Sequence, residues 1–318
     1  MKKTLVALAV LAASGASFAQ VTITGQYGFG YSPGSDAAGN TSGGFGISDS
    51  NITFSASEDL GGGMKAAAQL KIDGLNRAVA HGGDTWVSLS GGFGTLSMGL
   101  AEYDTDTADQ FGTFLGDTLL GGRMGDSERT ADFVQYATSV GPLGVSVRHT
   151  EAAANQGSGG AAGSTNQREN SVAASYAAGP LTLKADYATW DNKSTPTANV
   201  AWFATGYDTR TTFGGSYDLG AVKLAAAIQS TKYYTTGSTT ETFLGATAPI
   251  GAVNLGVDYM STKISDSLAD GTGTGFGVQA VYNLSKRTNM RFRYASYDSV
   301  ISPANKTVGT SLALYHNF

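Results

Sequence analysis

The side chains able to do chemistry in this chain are mostly carboxylates gathered in one place. Between residues 102 and 130 stand Glu102, Asp104, Asp106, Asp109, Asp117, Asp126 and Glu128, against only Arg123 and Arg129. Such a cluster could act as an acid–base couple, as an oxygen cage for an incidental Ca²⁺, or as a fixed negative field. A second set is basic and dispersed: Lys65, Lys71, Arg148, Lys184, Arg210, Lys223, Arg291 and Arg293. Most of the other catalytic options are absent. His81, His149 and His316 carry no Ser/His or zinc-ligand spacing around them. The chain has no cysteine, which removes disulfides, thiolate metal sites and thiol nucleophiles together. The glycine-rich run at 271–277 (GTGTGFG) lacks the lysine and following helix of a phosphate loop. Neither an enzyme nor a resident metal or cofactor is expected.

The elements that position these charges follow from composition and period. The 318 residues are 41% hydrophobic and only 14% charged, with 44 glycines. A soluble globular chain carries about 25% charged residues and about 7% glycine. The net charge of -5 leaves no footprint for a nucleic-acid partner. Residues 1–19 combine Lys2 and Lys3, an apolar run from Leu5 to Ala13, and Ser17-Phe18-Ala19 before Gln20. That arrangement reads as a bacterial secretory signal, leaving 20–318 as one exported domain. No later stretch holds eighteen consecutive apolar residues, so helical spans are excluded.

The mature region alternates. Val21, Ile23, Tyr27, Phe29 and Tyr31 share one phase; Met64, Ala66, Ala68, Leu70 and Ile72 alternate with Lys65, Ala67, Gln69 and Lys71; Met290, Phe292 and Tyr294 alternate with Arg291 and Arg293. A two-residue period marks β-strands. Tight Gly/Pro turns, among them 59–63, 91–94, 141–144 and 179–180, alternate with longer polar stretches such as 32–46, 75–83, 102–130, 153–168 and 264–271. A soluble sandwich could show many strands. Strict alternation of short and long connections, strands of about nine to eleven residues, and aromatics at both ends of apolar faces (Phe276 and Tyr282) instead predict an all-β, sixteen-stranded transmembrane antiparallel up-and-down barrel with short periplasmic turns and long extracellular loops. One phase then faces outer-membrane lipid. The eight basic residues belong to the other, because Lys or Arg at the lipid midplane costs about 2–4 kcal/mol.

Four motifs, in order, carry a resemblance: 50–66 (SNITFSASEDLGGGMKA), 87–96 (VSLSGGFGTL), 282–288 (YNLSKRT) and the terminal 315–318 (YHNF). They resemble Gram-negative trimeric general porins, especially the beta-proteobacterial type. The resemblance implies a homotrimer, export by the Sec route, a third long loop (102–130) folded into the lumen, and a terminal aromatic, Phe318, read by the barrel-assembly machinery. It implies passive diffusion of small hydrophilic solutes and ions past an acidic constriction facing a basic wall. Where such porins commonly place bases toward the pore, this chain has Asn51, Ser55 and Leu100. The expected selectivity is therefore weak and leans toward cations. A substrate-selective outer-membrane channel for sugars or organic acids is the alternative; Trp86, Trp190, Tyr297 and Tyr315 in the inward phase are too scattered for a continuous aromatic track.

Overall fold

The computed structural model describes residues 20–35, 41–74, 81–103, 129–151, 168–191, 207–234, 237–266, 270–298 and 306–318. The proposed signal segment, residues 1–19, lies outside them. The strands in chain order are β1 (Gln20–Ser35), β2 (Thr41–Gly61), β3 (Met64–Asp73), β4 (His81–Gly82), β5 (Thr85–Gly91) and β6 (Gly94–Tyr103). They continue with β7 (Arg129–Val140), β8 (Leu143–Glu151), β9 (Arg168–Ala178), β10 (Leu181–Asp191), β11 (Tyr207–Asp218) and β12 (Lys223–Tyr233). The last are β13 (Gly237–Ile250), β14 (Val253–Asp266), β15 (Gly271–Asn283), β16 (Thr288–Asp298) and β17 (Lys306–Asn317). β4 and β5 are two pieces of one strand: Ile72 faces Gly82 while Gln69 faces Trp86, so one extra residue bulges between them. Counting them as one leaves sixteen staves, each antiparallel to its chain neighbours, with β1 paired to both β2 and β17.

Closure satisfies the backbone in a medium that offers no water. Tight turns join β2–β3, β5–β6, β7–β8, β9–β10, β11–β12, β13–β14 and β15–β16 at one rim, and side chains finish several of them. Asp59 and Asp218 accept hydrogen bonds from the amides of Gly61 (2.8 Å) and Gly220 (2.7 Å), and Ser285 Oγ accepts from Arg287 and Thr288. Some strands run well past a bilayer crossing: β2 has 21 residues and β1 has 16. The polar stretch expected at 32–46 is thereby mostly strand. Its Ser and Gly residues keep pairing, Ser32 with Gly44 and Ser35 with Thr41, because polar side chains do not interrupt a ladder that has left the hydrocarbon.

Burial is the reverse of a soluble protein's. Leu255, Val257 and Tyr259 on β14, or Leu312 and Leu314 on β17, are exposed, whereas the inward Asp258, Met260 and Thr262 are buried. The largest buried apolar cluster (Ala225, Ala227, Phe243, Met260, Ala295 and Tyr297) lies on the inner face of β12 to β16. Outward, Phe276 and Tyr282 mark the two ends of one apolar stave, as expected for interfacial girdles.

The seam between β1 and β17 runs on to Phe318. Gly25 and Phe318 exchange both backbone hydrogen bonds, each 3.0 Å, extending the β1–β17 ladder to the terminus. The Phe318 ring fills the space over Gly25, where a Cβ would collide with it and with the Asn51 carbonyl. An aromatic covering a cross-strand glycine shields its backbone. Phe318→Ala is expected to destabilise the refolded barrel by about 1 kcal/mol, and Gly25→Val by more, since it evicts the ring and strains the seam. Urea titration of vesicle-refolded protein checks both; unchanged midpoints would contradict this account of closure.

Candidate functional site

The candidate site is the inner wall. Register places each base of the dispersed set in the inward phase: Lys65 and Lys71 on β3, Arg148 on β8, Lys184 on β10, Arg210 on β11, Lys223 on β12, Arg291 and Arg293 on β16. They do not form one continuous positive surface. Lys65 lies across from Asp59 and Lys223 across from Asp218, both at the short-turn rim. Lys71 makes an ion pair with Asp73. Arg291 donates from Nη2 to Gln26 Oε1 (3.4 Å), and Gln26 in turn donates to Asp49. Arg148, Lys184 and Arg210 line a single recess.

Inward aromatics hold these arginines. The Arg291 guanidinium lies 3.8 Å from the Tyr315 ring centroid, with Arg293 at 5.9 Å over the same ring. Arg148 stands 5.2 Å over Phe133 and Arg210 5.4 Å over Trp190. Each contact of this kind is worth about 0.5–2 kcal/mol, depending on desolvation. Tyr315 itself fits because its partner across the seam is Gly28, where a Cβ would press into the ring. Trp190 and Tyr315 thus serve as platforms for cations.

The inward phase also carries carboxylates that the basic set leaves out: Asp49, Asp73, Glu169, Asp186, Glu241 and Asp258. The two-residue period that finds the bases finds these equally well once applied to acids. Glu241 ends a row across three strands, in which Thr212 donates to Gln229 (2.9 Å) and Gln229 donates to Glu241 (3.4 Å). Asn51 and Ser55 share the inward phase of β2, facing Gln26 and Thr22. Leu100 does not. It lies opposite Thr85 and Asp132 in the outward phase of its strand, so the sequence expectation that Leu100 thins the basic wall is corrected: an apolar side chain there faces lipid.

Of the acidic segment, Asp104, Asp106, Asp109, Asp117, Asp126 and Glu128 lie outside the described residues. So does the expected inward fold of that loop. Glu102 belongs to β6, paired with Thr130, so the strand takes in a residue that the sequence assigned to the loop. Among the histidines, His149 bonds Asn170 (2.8 Å) and Glu151 (3.3 Å) near the long-loop rim, and His316 bonds Thr288 (2.9 Å) at the opposite one. His81 lies in β4. Among the described residues no group of three or more His, Cys, Asp or Glu is arranged to hold a metal.

A closed antiparallel barrel with apolar outward and charged inward phases now has a match. The Gram-negative porin family model matches residues 4–301. The chain belongs to that family. A relative from Delftia acidovorans, outer membrane porin protein 32, is 33% identical over 258 residues, covering 73% of this chain and 70% of the relative. Similar solved structures include the anion-selective porin from Comamonas acidovorans (TM-score 0.73, 22% identity, covering 95% of this chain and 100% of that one). Another is OmpT of Vibrio cholerae in its trimer form (TM-score 0.73, 13% identity, covering 94% and 99%). The porin is accordingly a protein of the Gram-negative outer membrane, its apolar phase against lipid.

That placement predicts opposite outcomes for one substitution in the two phases. Val257→Lys puts an ammonium on the lipid face and is expected to cost about 2–4 kcal/mol of refolding stability in vesicles. Ser55→Lys, on the inner wall, is expected to stay within about 0.5 kcal/mol of the parent. Equal losses in the two variants would contradict the assignment of faces.

Proposed function

We propose that the barrel is a water-filled channel through which small hydrophilic solutes and ions diffuse passively across the outer membrane. The observation that carries this reading is the inward phase itself. Around the closed wall it presents Lys, Arg, Asp, Glu, Gln, Ser and Thr to the interior, while the outward phase is apolar. A charged interior replaces part of the hydration of polar solutes and gives nothing to apolar ones. The proposal includes a homotrimer, consistent with the trimer form of the Vibrio cholerae relative. It also includes removal of residues 1–19 during export and recognition of Phe318 by the barrel-assembly machinery.

Charge balance on the described wall sets the expected selectivity. Its bases are matched by carboxylates of the same phase, several of them paired or directly opposite. To that near-neutral wall residues 104–128 add six acids against one base. The proposed channel is therefore weakly cation-selective, the acidic segment serving as its constriction. Among the described inward aromatics, Phe133, Trp190 and Tyr315 lie beneath arginines, which disfavours their use as a sugar-type slide.

Purified protein in planar bilayers under a tenfold KCl gradient is expected to give a reversal potential of the sign set by K⁺ permeation, its permeability ratio within a few-fold of unity. A strongly anion-selective potential would overturn the charge assignment, and absence of ohmic conductance would overturn the channel.

A further inference from the structure

On the inner wall of β7 to β11 the side chains fall away into a recess of about 390 Å³. Small inward residues make its floor: Gly144 and Ser146 on β8, Ser171, Ala173 and Ser175 on β9. Charged residues of both signs stand around it, with Arg148, Lys184 and Arg210 against Glu169 and Asp186. The volume suits a small molecule of a few heavy atoms.

Arg210 is the unusual member. Its side chain is about 5% exposed, held over Trp190, with Nη2 at 3.7 Å from Asp186 and 3.9 Å from Glu169. Those separations are too long for hydrogen bonds. Its Nε and Nη1 meet no acceptor, and Asp186 Oδ1 meets no donor. A buried donor or acceptor left unmet disfavours the state that leaves it so. One recess is thus lined by a cation with unmet N–H groups and an anion with an unmet oxygen, Arg210 Nη2 lying 3.7 Å from Asp186 Oδ1.

We infer that this recess is a binding subsite for small zwitterions of the α-amino acid class, a reading that rests on the water-filled channel proposed above. The solute's carboxylate pairs with the Arg210 guanidinium, and its ammonium with the Asp186 carboxylate. A simple anion leaves Asp186 unmet and adds repulsion from Glu169; a simple cation leaves the guanidinium unmet. The stacking of Arg210 on Trp190 and of Arg148 on Phe133 holds both guanidinium groups before the solute arrives, which lowers the entropic cost of binding. Such a subsite on the wall of a weakly selective pore slows the passage of one solute class without excluding others.

The test adds L-alanine to a KCl-bathed single channel, with potassium propanoate and ethylammonium chloride as the two half-ligands. Alanine is expected to reduce the KCl current saturably, with half-saturation in the millimolar range, and each half-ligand to act at least about tenfold more weakly. Arg210→Gln and Asp186→Asn are expected to raise the half-saturation by about tenfold or more. Ser171→Phe, which fills the floor and keeps every charge, is expected to remove saturation; it decides the matter if the charge variants fail to fold. A parent channel that conducts KCl but shows no saturation with alanine overturns the subsite alone, as does equal action by all three solutes or saturation unaltered in Ser171→Phe. Failure to conduct KCl at all overturns the channel reading beneath it.

Discussion

In hydrocarbon there is no water to complete an amide's hydrogen bonds, and each group left bare costs several kcal/mol. A sheet can meet that demand only by having no edge. Here the demand is met where β17 returns to β1, a ladder that Gly25 and Phe318 extend by bonding each other at 3.0 Å in both directions. The remaining features follow from a sheet closed in this way. With both neighbours of every strand occupied by other strands, side chains have two destinations, lipid or lumen, and a period of two separates them along the whole length.

The separation explains an otherwise odd composition. One phase is given over to lipid, which limits the chain to 14% charged residues, and the charges that remain collect on the inner wall, in turns and in the rim segments. Charges on a wall must still be held in place. Arginines lie on Tyr315, Phe133 and Trp190, Lys65, Lys71 and Lys223 pair with or face aspartates, and glycine at position 28 leaves room for the ring that supports two of the arginines. Glycine here therefore serves side chains of the neighbouring strand as much as its own turns.

Much of this was legible in the sequence because the period is local. Met64 to Ile72 and Met290 to Tyr294 show their faces without reference to any partner, and alternating turn lengths fix the up-and-down order. What depends on partners was not legible. The extra residues that bulge from β2 opposite Gly28/Phe29 and from the β4–β5 stave opposite Gln69 to Ile72 shift the register by one, and only pairing reveals them. Leu100 was misplaced for a related reason: its phase belongs to Leu96 and Met98, whereas the expectation for it came from resemblance to other porins. The recess around Arg210 draws on five strands, so no linear pattern announces it, although Ser171, Ala173 and Ser175 show a run of small inward residues.

The central claim is that a single two-residue phase divides lipid from water, and the chain's lack of cysteine makes it directly measurable. Single cysteines placed in turn from Lys65 to Ile72 on β3, in protein refolded into vesicles, can be reacted with a charged, membrane-impermeant thiol reagent. Lys65, Ala67, Gln69 and Lys71 positions are predicted to label, and Ala66, Ala68, Leu70 and Ile72 positions to be protected. Uniform labelling along the strand, or alternation in the opposite phase, would contradict the account.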